Sequence, residues 1–332
     1  MECECKKVAL IGSGSWATAI AKILLQNIDN LKWYIREPEI ISHMLKHQHN
    51  PLYLSAIQFD ISKLELYDNV NEAIEDADIV ILCIPSKFIK GLSEKITVSL
   101  LGKHIVTAIK GIVPDENLLI SEYIKQCFGV DDNHMTVFSG PCHAEEVALE
   151  RLSYLTVGSK NHEFAQEFAG LVKSHFIRAN VSDDVQGIEY GAVMKNIMAL
   201  AAGICHGLGY GDNFTSVLIS NAIQEMKRFV DAVHPIQRDI NDSVYLGDLL
   251  VTAYSQFSRN RTFGAMIGKG YSVKSAELEM TMIAEGYYAV YSIKTINEQY
   301  GVDMPITNAV YNILYERFAP ALEFKVLSEH LK

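Results

Sequence analysis

Lys195 lies in a part of the chain that contains almost no other polar residue. Residues 192–204 read AVMKNIMALAAGI, in which only Lys195 and Asn196 are polar. A helix that is apolar on all sides is buried, so an ammonium group in its middle must be paired or must line a hydrated cavity. Desolvation lowers the pKa of such a lysine and suits it to proton transfer near neutral pH. The alternative is a lysine that extends from a helix edge into solvent.

Two later segments contain possible partners for this lysine and for an anion. Asp248 lies among apolar residues in GDLLVT and is a natural partner for a buried ammonium group. Ser258 can cap a helix, and the N–H groups that follow it would form an anion site together with Arg259. Tetrapeptides such as SRNR are also common on solvated loops, so this segment alone does not establish a site.

A glycine-rich turn near the start of the chain predicts a dinucleotide site. Residues 8–11 indicate a buried strand, residues 17–25 indicate a helix, and G-x-G-x-x-A lies between them. Gly12 allows the tight turn, Gly14 lets the backbone approach a pyrophosphate, and Ala17 keeps helix and strand close. Glycine-rich turns also join strands to helices without any ligand, and it is the strand–turn–helix context that favours a dinucleotide.

The elements that must position these residues alternate between strand and helix in the first half of the chain. Uninterrupted apolar strands between helices indicate a parallel sheet covered on both faces. Beyond about Val185 the strand signals stop and apolar helical stretches follow. We predict an α/β protein with an N-terminal, Rossmann-type, mostly parallel sheet in residues 1–181 and a C-terminal all-α domain in residues 182–332. The strand candidates are residues 8–11, 31–35, 79–84, 105–109, 136–138 and 154–157.

Ligands of open α/β sheets bind beyond the carboxyl ends of the strands. We therefore expect the segments that follow the strands to line one crevice. These segments are residues 12–16, Arg36, residues 85–86, residues 110–111 and residues 139–141.

Composition excludes several classes of protein. Hydrophobic residues make up 49% and charged residues 21% of the 332, as in ordinary globular proteins. The net charge of −11 argues against nucleic acid as a partner, because phosphate backbones need a basic face. No apolar run approaches the roughly 20 residues of a membrane span, and the first residues lack the order of a signal peptide. We expect a cytoplasmic protein with no membrane span.

The six cysteines are scattered and none has zinc-finger spacing, so reduced thiols are the simplest interpretation. Cys3 and Cys5 have the spacing of a metal-binding pair, but a frayed terminus is the better interpretation. We predict no metal site.

Seven motifs, taken in their order and spacing, carry a resemblance to a known family. They are GSGSWATA, AIKG, SGPCHAEE, MKNIMALAAGICHGLGYGDN, LGDLLVT, SRNRTFG and AEGY. From about residue 8 to 315 the chain closely resembles the NAD(P)-dependent glycerol-3-phosphate dehydrogenases of the bacterial type. The combination of KN, GD and SRNR at these separations is specific, whereas any one motif alone is not. The resemblance implies a homodimer that reversibly reduces dihydroxyacetone phosphate to sn-glycerol 3-phosphate with NAD(P)H, supplying the glycerophospholipid backbone.

The resemblance also implies roles for individual residues. Lys195 matches the catalytic lysine, which takes the proton from the C2 hydroxyl in oxidation and returns it in reduction. We expect Asp248 and Asn196 to hold that lysine. The implied substrate contacts are Lys110, Gly140, Cys142, Lys195, Asn196, Asp248 and Thr252, with Ser258, Arg259 and Asn260 on the phosphate. The implied dinucleotide contacts are Gly12, Gly14, Ser15, Trp16, Arg36, Lys110, Ala144, Arg259, Ile283 and Glu285.

Four positions depart from the family pattern. Cys142 replaces a usual threonine, His206 a usual aspartate and Asn221 a usual arginine, and Tyr245 stands where a small residue is favoured. These departures affect the fine geometry of substrate binding and the subunit interface rather than the reaction type.

The second strand candidate bears on the choice of cofactor. NAD-specific folds favour an acidic residue at the end of this strand, where it contacts the ribose 2′-hydroxyl. Residues 33–35 contain no acid, and Arg36 follows. Arginine suits a 2′-phosphate, so we predict a preference for NADP with NAD tolerated. Glu37 is the counter-argument, because its carboxylate could reach the ribose.

Two other functions remain as alternatives. One is an NADP-dependent dehydrogenase of another small hydroxyacid, for which the cluster at residues 258–260 would have no phosphate to bind. The other is a non-catalytic dinucleotide sensor, which needs none of Lys110, Lys195 and Asp248. The presence of all three favours the enzyme.

Overall fold

The computed structural model describes residues 6–280 and 284–332. By its internal contacts the chain divides into two compact units. Unit 1 comprises the residues up to Ile109 together with Ile120–Val185, and unit 2 comprises Lys110–Leu119 and Gln186–Lys332. The sequence gives no sign that Lys110–Leu119 belongs with the later half of the chain. The division into domains at 181/182 stays a prediction.

The described residues contain ten strands and fifteen α-helices, numbered here in chain order. The strands are β1 (Val8–Ile11), β2 (Leu31–Tyr34), β3 (Leu64–Tyr67), β4 (Ile79–Leu82), β5 (His104–Thr107), β6 (Ile112–Val113), β7 (Leu118–Leu119), β8 (Met135–Ser139), β9 (Ser153–Ser159) and β10 (Ile177–Ser182). The helices of unit 1 are α1 (Ser15–Leu24), α2 (Pro38–His47), α3 (Val70–Ile74), α4 (Ile89–Ser93), α5 (Ile120–Phe128), α6 (Ala144–Ala148) and α7 (His162–Val172). The helices of unit 2 are α8 (Val185–Gly207, whose first residue closes unit 1), α9 (Asp212–Val233), α10 (Asp248–Tyr254), α11 (Arg259–Gly268), α12 (Val273–Glu279), α13 (Glu285–Tyr300), α14 (Pro305–Leu314) and α15 (Pro320–His330).

Unit 1 is built on an eight-stranded sheet in the order β10-β9-β8-β5-β4-β1-β2-β3. All neighbouring strands are parallel except β8 and β9, which are antiparallel. From β3 to β8 this is the strand order of the doubly wound dinucleotide-binding fold, whose direction of winding reverses between β1 and β4. The predicted Rossmann-type, mostly parallel sheet is confirmed.

The central strands β1 and β4 are wholly buried, as their uninterrupted apolar sequences VALI and IVIL require. Large side chains that cover the sheet are also buried, including Trp33, Phe138 and Phe168. Of the ten described strands, β3, β6, β7 and β10 were not predicted. β3 and β10 lie at the two edges of the sheet and are only partly buried.

The described residues of unit 2 form helices and connecting segments, and their only strands are those of the short hairpin of β6 and β7. Its central element is α8, in which residues 187–205 are all buried, as predicted from its apolar sequence. Helix α11 crosses α8 with backbone against backbone: a Cβ added at Gly203 would lie 2.2 Å from the carbonyl oxygen of Arg261, and one at Gly264 would lie 2.2 Å from that of Leu200. Glycine at these positions is what lets the two helices approach closely enough to share a polar site.

Helix α8 is also the one described helix that is long and apolar enough to cross a membrane. Its most apolar 18-residue window is 100% buried inside the protein. A core helix satisfies the same criteria of length and composition, so this property is weak evidence for a membrane span.

Candidate active site

The charged centre of unit 2 is a carboxylate with two ammonium groups. Lys195 Nζ donates to Asp248 Oδ1, and Lys110 Nζ lies 3.5 Å from Asp248 Oδ2. The side chain of Asp248 is 2% exposed, that of Lys195 5% and that of Lys110 20%. The predicted pairing of Lys195 with Asp248 is therefore present. Lys110 makes the cluster a triad with one net positive charge when both lysines are protonated.

Burial, together with the nearby charge of Lys110, lowers the pKa of Lys195 to about 7 against the opposing effect of Asp248. A lysine with this pKa exchanges a proton readily at neutral pH. The carboxylate keeps the buried ammonium from being an isolated charge, which would cost several kcal/mol.

The local structure around Asp248 is unusual. Ser243–Gly247 forms a five-residue π-helical turn that leads directly into α10, whose first residue is Asp248. Such turns occur often at functional sites, because they redirect a side chain. Tyr245, one of the departures from the family pattern, is buried in this turn, and a Cβ added at Gly191 would lie 3.0 Å from its ring. The tyrosine thus fills space beside a glycine of α8.

Asparagine side chains join the segments that surround the lysines. Asn196 Nδ2 donates to the backbone oxygen of Lys110 at 3.1 Å, and Asn260 Nδ2 donates to Asn196 Oδ1 at 2.9 Å. The backbone N–H of Gly286 completes the chain by donating to Asn260 Oδ1 at 2.9 Å. Asn196 was expected to hold Lys195. It instead fixes the backbone of Lys110, because its amide faces the hairpin segment.

The start of α11 has the form that the sequence predicts. Ser258 is the N-cap residue, and its hydroxyl accepts from the backbone N–H of Arg261 at 3.3 Å. Arg259, the first residue of the helix, is exposed, whereas Ser258 and Asn260 are buried. Thr252 donates from Oγ1 to the backbone oxygen of Asp248 at 2.6 Å, so its hydroxyl proton is used in a hydrogen bond within α10. Glu285 is the first residue of α13, and Ile283 lies outside the described residues.

The glycine-rich turn of unit 1 lies at the reversal point of the sheet. Gly12 has a φ of 127°, and a Cβ there would lie 2.1 Å from the backbone oxygen of Cys83 at the end of β4. Gly14 is the N-cap of α1, has extended backbone (φ −72°, ψ 179°), and would meet no atom within 4 Å if it carried a Cβ. The first turn of α1 carries no acidic side chain, so its positive end is open to an anion.

The remaining predicted cofactor and substrate residues of unit 1 surround the carboxyl ends of the parallel strands. Trp16, in the first turn of α1, stacks on Phe138 with the ring centroids 6.1 Å apart. Gly140 has a φ of 145°, and a Cβ there would lie 2.6 Å from the backbone oxygen of Tyr154, so only glycine fits. Cys142 is half-buried, and Ala144 begins α6. The segments that follow the strands were expected to line one crevice. Residues 12–16, 36, 85–86 and 139–141 belong to unit 1, whereas residues 110–111 belong to unit 2.

The side chains that follow β2 bear on the choice of cofactor. Ser13 Oγ donates to Glu37 Oε2 at 3.0 Å, and Arg36 Nε donates to Glu37 Oε1 at 2.8 Å. The Arg36 guanidinium also lies 5.8 Å from the centre of the Phe88 ring. Both the arginine and the carboxylate are therefore next to the glycine-rich turn and bound to one another.

Asn50 is a residue that the sequence reasoning missed. It is fully buried, and its Nδ2 donates to the backbone oxygen of Ser13 at 3.0 Å and to Thr18 Oγ1 at 3.1 Å. Its Oδ1 accepts from the backbone N–H groups of Leu52 and Tyr53 at 3.0 and 3.2 Å. The side chain thus ties the glycine-rich turn to the segment after α2. The only signal in the sequence is the Asn50-Pro51 dipeptide, which is typical of a turn.

The other two departures lie in the middle of α9 and near the end of α8. Asn221 on α9 donates to the backbone oxygen of Lys332 at 2.8 Å and accepts from its N–H at 3.2 Å. His206 is exposed near the end of α8. Over residues 6–280 and 284–332, no group of three or more His, Cys, Asp or Glu side chains has an arrangement that could hold a metal ion.

Comparison with known proteins covers nearly the whole chain. The family model described as NAD-dependent glycerol-3-phosphate dehydrogenase N-terminus matches residues 7–165, and the corresponding C-terminus model matches residues 184–324.

Named relatives point the same way. A protein of Clostridium botulinum, named glycerol-3-phosphate dehydrogenase (NAD(P)+), is 34% identical over 97% of this chain and 96% of its own length. A protein of Bacillus subtilis with the same name is 34% identical over 93% of this chain and 90% of its own length.

A solved structure is also similar. The crystal structure of glycerol-3-phosphate dehydrogenase from Coxiella burnetii matches 98% of this chain and 99% of its own, with a TM-score of 0.89 at 28% identity. The resemblance drawn from the seven motifs is confirmed: the chain belongs to the NAD-dependent glycerol-3-phosphate dehydrogenase family.

Proposed function

We propose that this chain catalyses the reversible reduction of dihydroxyacetone phosphate to sn-glycerol 3-phosphate with NAD(P)H. The observation that carries the proposal is the buried triad of Lys195, Asp248 and Lys110, since it places a lysine of near-neutral pKa beside a second cation. The family of the chain and the names of its relatives support the same reaction. A binding protein without catalysis would not need two lysines on one buried carboxylate.

In the proposed reduction, NAD(P)H supplies a hydride to the C2 carbonyl carbon of the substrate. Negative charge then develops on the carbonyl oxygen, and Lys195 Nζ donates a proton to it and becomes a neutral amine. Lys110 supplies positive charge for the developing alkoxide, and Asp248 orients the Lys195 ammonium. Oxidation follows the same path backwards, with neutral Lys195 taking the proton from the C2 hydroxyl.

The phosphate is assigned to the N-terminal end of α11. Ser258, Arg259 and Asn260 lie there, and helix N-termini and arginine both favour dianionic phosphate. Asn260 uses one Nδ2 proton on Asn196, and the second is available to an acceptor. Fixing the phosphate at this helix orients the carbonyl for hydride transfer. We assign Gly140, Cys142, Asn196 and Thr252 to the surroundings of the substrate.

The dinucleotide is assigned to the turn of unit 1. Gly12, Gly14 and Ser15 are assigned to the anion-binding end of α1. The further proposed dinucleotide contacts are Trp16, Arg36, Ala144, Lys110, Arg259, Ile283 and Glu285. The open space at Gly14 and the absence of an acid in the first turn of α1 fit a pyrophosphate.

We retain the preference for NADP over NAD as a proposal. Arg36 can exchange Glu37 for a 2′-phosphate because it is exposed. The Glu37 carboxylate, held by Ser13, is the feature that would favour NAD instead.

A cytoplasmic location, a homodimer, a division into domains at 181/182, and supply of the glycerophospholipid backbone are further parts of the proposal. They rest on the sequence and on the family resemblance. The net charge of −11 supports a small anion held by a local cluster rather than a nucleic acid.

The proposal is tested by assaying the purified protein with dihydroxyacetone phosphate and with NADH and NADPH in turn. Replacing Lys195 by alanine is expected to lower kcat by about 100- to 10,000-fold, the usual contribution of a general acid. The dinucleotide dissociation constant, measured from nicotinamide fluorescence, should stay within about threefold. Lys325→Ala, which removes an exposed lysine on α15, is the matched control and should keep normal kcat. Near-normal turnover by Lys195→Ala would overturn the assignment, and dinucleotide binding without any turnover by the wild type would support a sensor.

A further inference from the structure

Three histidines meet at the C-terminal end of α2, and the proposed reaction uses none of them. His43 and His47 are four residues apart on the helix, which places them on one face with their ring centroids 4.4 Å apart. Gln48 ends the helix in the left-handed conformation, with a φ of 65°. This turn brings the His49 ring back to a centroid distance of 4.8 Å from the His43 ring.

The nitrogen atoms of two of these rings face each other. His43 Nε2 and His49 Nε2 are 3.4 Å apart. Two imidazole nitrogens that share one tetrahedral ion, each about 2.0–2.1 Å from it, are separated by about 3.3–3.4 Å. The spacing between these two atoms is therefore that of a chelating pair.

The other nitrogen of His49 has a partner of the kind that metal-binding histidines use. His49 Nδ1 lies 3.3 Å from the backbone oxygen of Asn50, so its N–H can donate there. A histidine ligand commonly donates its second ring N–H to a backbone carbonyl, which fixes the tautomer. With the proton on Nδ1, the lone pair of Nε2 points towards His43.

We propose that His43 and His49 form a two-nitrogen surface site for an imidazole-preferring divalent ion such as Zn²⁺, with water in the remaining positions. Neutral imidazole suits Zn²⁺, Ni²⁺ and Cu²⁺. The ion would join the end of α2 to the residue next to Asn50, whose side chain holds the glycine-rich turn. Occupancy therefore stabilises unit 1 and is not required for turnover.

The test uses protein without a histidine tag, first treated with a chelator. Zn²⁺ binding is measured by equilibrium dialysis, and the melting temperature is recorded with and without ZnCl₂. We expect one ion per chain to be lost, or bound at least tenfold more weakly, in both His43→Gln and His49→Gln. The comparison with wild type separates this site from Zn²⁺ held by thiols. A Zn²⁺-dependent rise in melting temperature is expected in wild type and should shrink in both variants.

His175→Gln is the matched control, because His175 is exposed and its ring contacts Glu150 and Phe176 rather than the three histidines. It should bind Zn²⁺ as the wild type does. His47→Gln should lose less Zn²⁺ affinity than the other two variants, because the His47 ring packs on His43 and is not one of the two proposed ligands. Equal Zn²⁺ affinity in wild type, His43→Gln and His49→Gln, or no binding by the wild type, would overturn the site. Activity without added metal should be the same in wild type and in all four variants.

Discussion

The glycine-rich turn of unit 1 and the lysine cluster of unit 2 are built in opposite ways. The turn consists of consecutive residues, Gly12 to Ser15, and its function depends on backbone groups and on the absence of side chains. The cluster consists of side chains from residues 110, 195 and 248, which meet because helices pack closely around them. A site made of consecutive backbone groups can be recognised from a short sequence motif. A site made of side chains far apart in the sequence can be recognised only when those residues are considered together.

The largest effect, a loss of kcat, is expected from a substitution in the lysine cluster. Asp248→Asn removes the anion that orients the Lys195 ammonium, so kcat should fall by roughly 100- to 1,000-fold. The dinucleotide dissociation constant should change little, because the turn in unit 1 contains no part of this cluster and Lys110, the member proposed to contact the dinucleotide, is kept. Steady-state kinetics and fluorescence titration measure the two quantities.

Glu329→Gln, an exposed acid on α15, controls for the loss of one negative charge. A kcat for Asp248→Asn within fivefold of wild type would mean that the carboxylate does not orient the lysine.

A smaller effect, on dinucleotide binding rather than on kcat, is expected from a substitution in the glycine-rich turn. Gly12→Ala places a Cβ 2.1 Å from the backbone oxygen of Cys83, at a φ that alanine rarely adopts. Strain of this type costs about 1–3 kcal/mol, so the dinucleotide should bind about tenfold more weakly and unfolding should require less urea. At saturating dinucleotide, kcat should change little.

Gly91→Ala is the matched control, because a Cβ at Gly91 on α4 meets nothing within 4 Å. If kcat of Gly12→Ala remained low at saturating dinucleotide, the glycine-rich turn would affect the chemical step as well as dinucleotide binding.

The third effect sharpens the comparison through pH. Reduction needs protonated Lys195, so its kcat should fall about tenfold for each pH unit above the lysine pKa of about 7. Oxidation needs the neutral amine and should rise with pH to a plateau above the same value. In Asp248→Asn the midpoint should move to lower pH, because the ammonium loses its anion. A midpoint that does not move would assign the titration to another group.

The sequence predicts the buried part of unit 1 well and its edges poorly. β1 and β4 are apolar throughout because both faces are covered, and this uninterrupted pattern is easily found. β3 (LELY) and β10 (IRANVS) are partly exposed edge strands with alternating sequences, so a search for continuous apolar runs misses them.

The candidate site shows a similar limit. The polar residues within the apolar helix and the acid in GDLLVT indicate Asp248 as a natural partner for Lys195, and the two side chains do pair. The hydrogen bond from Asn196 to Lys110 and the role of Asn50 could not be predicted, because each depends on a backbone oxygen brought close by tertiary packing.

The excursion of Lys110–Leu119 into unit 2 has a consequence for how such proteins can be recombined. The chain leaves unit 1 after Ile109 and returns at Ile120, so the gene segment for residues 186–332 does not encode all of the lysine cluster. A chimera that exchanges only that segment between two relatives would pair Lys195 and Asp248 of one parent with the Lys110 hairpin of the other. A functional chimera therefore needs three crossovers, after residues 109, 119 and 185, rather than one. With these crossovers the hairpin comes from the same parent as the helices.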